Sequence, residues 1–255
     1  MIAIHTYEPI LWILPIQSNS GFGCALKKME SRYKSNTVFR DRQDAGRQLA
    51  QRLGSEPLEG EVIVLGLPRG GVPVAYEIAA ALHVPLDVLV VRKLGAPFNR
   101  ELAIGAIGPG GIAVYNDHLV QQLGLDRSEV ERIRQQELAE LDRREQTYRG
   151  LNAPPLDVAN KTVILTDDGI ATGSTMFAAV EALRALGPAE IIVAVPTSSV
   201  DAYAQLRRKA DRVIALSTPD PYMAVGVWYE YFGQTSDQEV IDLLARPTAP
   251  PQRHG

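Results

Sequence analysis

Short apolar, β-branched runs separated by amphipathic stretches set the rhythm of the chain. The runs Val62-Ile63-Val64-Leu65-Gly66-Leu67, Leu86-Asp87-Val88-Leu89-Val90-Val91, Val163-Ile164-Leu165, Ile191-Ile192-Val193-Ala194-Val195 and Val213-Ile214-Ala215-Leu216 are nearly continuous rather than alternating. Strands buried on both faces read this way. Between them lie helical patterns. Ala45, Leu49 and Leu53 fall on one face of a helix from Asp41 that Gly54 stops, and further helices are predicted over 72–82, 176–186 and through Arg208. Strands beginning near 62, 86, 162, 191 and 213, alternating with helices, predict an α/β fold: a doubly wound, parallel, five-stranded sheet. Ligands of such sheets bind beyond the carboxyl ends of the strands.

Three stretches depart from the alternation. Gly95 to Gly111 holds five glycines and two prolines and closes on a short apolar run at 112–115, the composition of a mobile hairpin or lid. Arg100 and Glu101 are its chemically capable side chains. From Asp126 to Tyr148 the chain is strongly charged, with Val130, Ile133, Leu138 and Leu141 at helical spacing. That predicts one long amphipathic helix, capped by Asp126 or Ser128 and ended by Gly150, whose charged face is solvated or serves as a dimer contact. Near the end, Trp228, Tyr229 and Phe232 either form a hood over a planar ring or pack against a last helix, 239–244, capped by Ser236 or Asp237. Residues 1–36 fit no period and read as a poorly ordered or untranslated leader, 37–246 as the domain, and 247–255 as a disordered polar tail.

Composition narrows the class. With 255 residues and 45% hydrophobic content the chain can bury one sizeable core. A net charge of −4, with no basic run longer than Arg207-Arg208-Lys209, argues against a nucleic-acid partner. Cys24 is the single cysteine, which points to a reducing compartment, and His5, His83, His118 and His254 show no metal-ligand spacing. The apolar stretch Ile10–Ile16 is too short to span a bilayer and lacks a basic flank. These features together predict a cytoplasmic protein with no membrane partner.

The candidate chemistry concentrates in 163–176, where an apolar strand runs into Asp167, Asp168, Gly169, then Ala171, Thr172, Gly173, Ser174, Thr175 and a helix. Backbone N–H groups of 171–175 converge at a helix N-terminus, where open donors and the positive dipole end favour a phosphate. Two adjacent carboxylates would repel that phosphate but accept hydrogen bonds from neighbouring sugar hydroxyls. One end thus suits phosphate, the other a diol. A second strand–loop–helix, at Leu67-Pro68-Arg69-Gly70-Gly71, offers an arginine fork and two glycine N–H groups, which suits a diphosphate. Arg92 and Lys93 close the strand at 86, where cations are costly to bury without an anion.

The first motif resembles the phosphoribosyl-diphosphate signature of type I phosphoribosyltransferases. Across about 39–244 the chain is similar to a bacterial and archaeal group of phosphoribosyltransferases, through Leu67–Gly71, Glu101–Ile107, Asp167–Gly173 and Trp228-Tyr229. Gly169 stands where many members carry an apolar residue, which implies a more pliable turn. The resemblance implies a phosphoribosyltransferase-like fold with a flexible lid, a long inserted helix and a C-terminal hood. It implies phosphoribosyl diphosphate as donor, Mg²⁺ bound mainly through that ligand rather than by protein side chains, an unidentified nitrogenous base or other nucleophile as acceptor, and release of pyrophosphate. Pro68, Arg69, Gly70, Gly71, Arg92 and Lys93 would contact the pyrophosphate, Asp167 and Asp168 the ribose hydroxyls, and Gly169 with Ala171, Thr172, Gly173, Ser174 and Thr175 the 5′-phosphate loop. Arg69, Lys93, Asp167 and Asp168 are the candidates for catalysis. No base-specificity element accompanies them, so a non-catalytic sensor of the same ligand is the rival reading. A dinucleotide- or nucleotide-sugar-binding protein would call for Gly-x-Gly-x-x-Gly or Gly-x-x-x-x-Gly-Lys-Ser/Thr, and neither occurs.

Overall fold

The computed structural model describes residues 38–248; the readings of 1–36 and of the tail beyond Thr248 lie outside the described residues. In chain order the elements are α1 (Arg42–Leu53), β1 (Val62–Gly66), α2 (Gly71–Leu82), β2 (Leu86–Val88), β3 (Arg92–Ala96), β4 (Asn99–Ile107), β5 (Ala113–Tyr115) and α3 (Asp117–Gln122). There follow α4 (Arg127–Arg149), β6 (Thr162–Thr166), α5 (Ser174–Arg184), β7 (Glu190–Thr197), α6 (Val200–Leu206), β8 (Arg212–Ser217) and α7 (Asp237–Leu244).

The predicted parallel sheet forms, with strand order β2-β1-β6-β7-β8 and every neighbouring pair parallel. Its strands read as continuous apolar runs because both faces are covered. Leu65, Val163, Leu165 and Val193 face Met176, Val180 and Leu183 of α5 and Leu206 of α6. The alternate residues Val64, Ile164, Ile192 and Ala194 face Leu49 and Leu53 of α1 and Val74 and Ile78 of α2. Each such fully buried side chain contributes about 1.5–3 kcal/mol of transfer free energy.

The strand expected over 86–91 stops at Val88, and Arg92 and Lys93 instead open β3 in a second, antiparallel sheet of order β3-β4-β5. Leu89 and Val90 are fully buried between the two sheets. The stretch read as a mobile hairpin or lid is a hairpin, paired along most of its length from Arg92↔Ile107 to Ala96↔Asn99 with register shifts on both sides of Gly95. Its partner strands lie at the two edges of the glycine-rich segment, β3 entering it from Arg92 and β5 following it at Ala113–Tyr115. Leu94, Ile104 and Ile107 of this hairpin pack with Ile133, Leu141 and Tyr148 of α4 and Val240 and Leu243 of α7. The long charged helix therefore has a buried stripe as well as a solvated face.

Helix starts separate into two kinds. Asp41 caps α1, Asn116 α3, Asp126 (in a capping box with Glu129) α4, Ser199 α6 and Ser236 α7, each through its side chain. By contrast α2 starts at Gly70 and α5 at Gly173, with no side-chain cap on either. Those two helices follow β1 and β6, the central neighbours of the sheet. At the far end, Thr248 Oγ1 donates to Val84 O at 2.8 Å, so the first residues of the expected tail are attached to the domain.

Candidate functional site

Strands β1 and β6 pair in step from Val62↔Thr162 to Gly66↔Thr166, which brings their following turns out at one level on the same edge. The turns touch. Leu67 N–H donates to Thr166 O at 3.0 Å. A Cβ on Gly70 would fall 2.0 Å from Asp168 Oδ2, and one on Gly71 would fall 2.8 Å from both Asp167 Cα and Thr166 O. Glycine is required here for space rather than for unusual dihedrals, since Gly70 has φ −61°. The expectation that both glycine N–H groups stand open to a ligand is corrected for Gly71, whose N–H donates to Leu67 O at 3.0 Å.

The acid pair is held from three sides. Asp168 N–H donates to Asp167 Oδ1 at 2.8 Å. Arg42 of α1 donates to Asp168 Oδ2 through Nε at 2.9 Å and lies 2.8 Å away through Nη2. Tyr229 Oη donates to Asp168 O. Burial, and then the charge of Asp168, push the Asp167 carboxyl well above the usual carboxylate range. Burial also raises Asp168, with the Arg42 guanidinium working against it. Burial and the Asp168 charge raise the Tyr229 phenol as well. Arg42 belongs to no motif, sits 126 residues from its partner, and in sequence reads as one more polar residue at a helix start.

The phosphate-type loop is braced from the neighbouring strand. Ile170 N–H donates to Thr197 O at 2.9 Å and Ser199 N–H to Ile170 O at 2.8 Å. Ser199 Oγ donates to Ala171 O at 2.6 Å. Gly173 adopts φ +78°, which an L side chain would resist, and a Cβ there would meet the Phe177 ring at 2.6 Å. Ala171, Thr172, Ser174 and Thr175 are exposed, so the uncapped start of α5 is open for an anion. Gly169 is not a source of pliability. It is buried, and a Cβ there would lie 2.7 Å from Val225 Cγ1 and 3.0 Å from Thr197 Cγ2.

Of the expected pyrophosphate cations beside these turns, Arg69 and Arg92 are engaged with carboxylates. Arg69 Nη1 is 3.7 Å from Asp237 Oδ1 at the start of α7, and both side chains are about half exposed. Arg92 pairs with Glu137 of α4, at 2.8 Å through Nε and 2.6 Å through Nη2. A cavity of about 220 Å³ is lined by Pro68, Arg92, Lys93, Thr175 and Arg144, and so brings both turns and the second sheet together. Arg144 was not foreseen, because the helix that carries it reads as solvated; it pairs with Glu140 at 2.7 Å. Glu101 lies in β4. Of the three candidate hood aromatics, Trp228 and Tyr229 are buried, while Phe232 is partly exposed and its ring lies 3.9 Å under the Arg42 guanidinium. Among the described residues no three His, Cys, Asp or Glu side chains form a metal site, and no helix is long and apolar enough to cross a membrane.

Paired turns at the carboxyl edge of a five-stranded parallel sheet, one of them acidic and running into an uncapped helix, define a domain class that the comparisons name. The phosphoribosyl transferase domain family matches residues 40–231, and the chain belongs to that family. It is 49% identical over 211 residues to a Mycobacterium tuberculosis (strain ATCC 25618 / H37Rv) protein provisionally named a phosphoribosyl transferase, covering 82% of this chain and 47% of that protein. The chain thus spans about half the length of that curated relative. The crystal structure of TT1426 from Thermus thermophilus is similar with a TM-score of 0.75 and 42% identity, covering 82% of this chain and 98% of that one.

Proposed function

We propose that the domain binds phosphoribosyl diphosphate with Mg²⁺ and transfers the phosphoribosyl group to a nitrogenous base or similar nucleophile, releasing pyrophosphate, in the cytoplasm. The observation that carries this reading is the contact between the two turns, with Asp168 lodged against Gly70 and the open start of α5 a few residues on. That juxtaposition suits a ribose phosphorylated at both ends. The N–H groups and hydroxyls of 171–175 receive the 5′-phosphate. Asp167 and Asp168 accept hydrogen bonds from the ribose hydroxyls. Arg69, Lys93 and, on leaving Glu137, Arg92 neutralise the departing pyrophosphate. Mg²⁺ would ride on the diphosphate and its waters, since it keeps several waters and takes few carboxylates. When bound it supplies further charge neutralisation of the leaving group.

Bond breaking at the anomeric carbon runs ahead of bond making, as at other oxocarbenium-like centres. The chain's own work is then positioning and charge, and one Asp can take a proton from the incoming nucleophile. Incubation with donor, Mg²⁺ and a panel of purine and pyrimidine bases, followed by pyrophosphate release, tests the reading. Release with one base supports it. Donor binding without turnover of any base replaces it with the sensor, and absence of donor binding removes both.

A further inference from the structure

The Arg42 guanidinium holds together parts of the chain that no motif connects. Its Nε and Nη2 both reach one oxygen of Asp168, Oδ2, at 2.9 and 2.8 Å. Its Nη1 donates to Gly233 O at 2.6 Å, and its plane covers the Phe232 ring at 3.9 Å. The Asp168 main-chain oxygen is meanwhile held by Tyr229 Oη, and Tyr229 stacks against Phe232 with centroids 5.0 Å apart. Arg42 and the segment 229–233 therefore grip the same acid from its side chain and from its backbone. The pair is largely buried, with side-chain exposures of 13% and 14%, where a charge-assisted fork is worth more than at the surface.

We propose that Arg42 is a positioning residue that seats the Asp168 carboxylate for the donor's ribose hydroxyls and makes that seating depend on the segment 229–233. The inference rests on the donor reading above. Both Arg42 contacts fall on Oδ2, so that oxygen carries the anchor and Oδ1 is the one offered to a hydroxyl. The groups facing Asp168 are Asp167 of its own turn, Arg42 of α1, and Tyr222 and Tyr229 of the C-terminal segment. Arg42 is the one cation among them, so its loss leaves two neighbouring acids with no counter-charge.

Donor affinity by calorimetry, with phosphoribosyl diphosphate and Mg²⁺, is measured for the wild type, Arg42→Ala, Arg42→Lys, Phe232→Ala, Asp168→Asn and the Arg42→Ala/Asp168→Asn double variant. Hydrogen exchange over 229–233 is followed without ligand. Arg42→Ala is expected to weaken donor binding on the order of tenfold or more. Lysine should restore part of it, and the double variant should bind no worse than Asp168→Asn alone, since both changes remove one interaction. Exchange over 229–233 should rise in Arg42→Ala and in Phe232→Ala. Additive losses in the double variant, or unchanged exchange in Arg42→Ala, overturn the inference. Should Arg42→Ala not fold, Phe232→Ala and Arg42→Lys decide it by the same readouts. A wild type that fails to bind the donor overturns the proposed function instead, and exchange over 229–233 still judges the clamp.

Discussion

The two sides of the candidate site are built to different standards. On the acid side, Asp168 is fixed by Arg42, by Tyr229 and by the bare face of Gly70, and the loop beyond it is braced by Ser199. On the cationic side, Arg69, Arg92 and Arg144 are paired with Asp237, Glu137 and Glu140, in partly or largely exposed ion pairs. Exposed pairs of this kind are worth about 0–1 kcal/mol and exchange partners at little cost. A buried fork is not released so easily. On the proposed reading, one pole of the donor would meet a preformed surface, and the other would meet side chains that must change partners.

The comparison breaks most readily at Gly70. Gly70→Ala puts a methyl 2.0 Å from Asp168 Oδ2, and is expected to cost about 1–3 kcal/mol and to abolish measurable donor binding. Thermal unfolding with calorimetry reads both effects. The control is Gly54→Ala, where the nearest atom to a Cβ is 3.5 Å away and both quantities should hold. A Gly70→Ala protein that binds donor normally would show that the acid side is not preformed.

Next in size is Asp168→Asn, which removes the anion from the Arg42 fork. Donor affinity should fall about ten- to a hundredfold, the loss of a charge-assisted hydrogen bond. Full affinity and turnover would remove Asp168 from the site.

Asp167 sharpens the same contrast through pH. Its pKa is raised in the folded protein by burial and by Asp168. A carboxyl with a higher folded than unfolded pKa stabilises the fold below its unfolded value, and that contribution is lost as the pH rises through the folded one. Above the ordinary carboxylate range the wild type therefore bears the cost of holding this acid out of water beside Asp168, a cost that Asp167→Asn lacks. The variant should melt higher than the wild type at neutral pH, and the gap should close as the pH falls toward the ordinary carboxylate range. A gap that widens on acidification contradicts the raised pKa.

The smallest effect is expected from Glu137→Gln. It frees Arg92 from a partly exposed pair, so stability should change by less than about 1 kcal/mol. Donor affinity should rise a few-fold if Arg92 turns to the pyrophosphate, and calorimetry showing a fall would mean that Glu137 holds Arg92 in its working position.

Local pattern carried much of this architecture. Continuous apolar runs followed by Gly70 or Asp167 are legible because a doubly covered strand and an uncapped helix start each impose a local composition. The same holds for the caps Asp126 and Ser236, each bonding an N–H three residues on. The glycine-rich stretch was legible as a hairpin, but its pairing with β3, and the packing of Leu94, Ile104 and Ile107 on α4, were not, because they involve residues outside the stretch. The space that Gly169 leaves for Val225 was not legible either: a glycine packed against a distant side chain and one left loose are the same letter.

By itself, then, the sequence determined the order of the five core strands and the helices between them, the acid pair, and the two turns that could hold anions, since each depends on residues within a few positions of one another. Only the tertiary structure decided that those turns touch, that Gly70 makes room for Asp168, that Arg42 grips it from 126 residues away, and that Arg92 answers to Glu137. Those facts are set by how α1, α4 and the C-terminal segment close over the sheet edge. Packing between distant elements leaves no period in the chain.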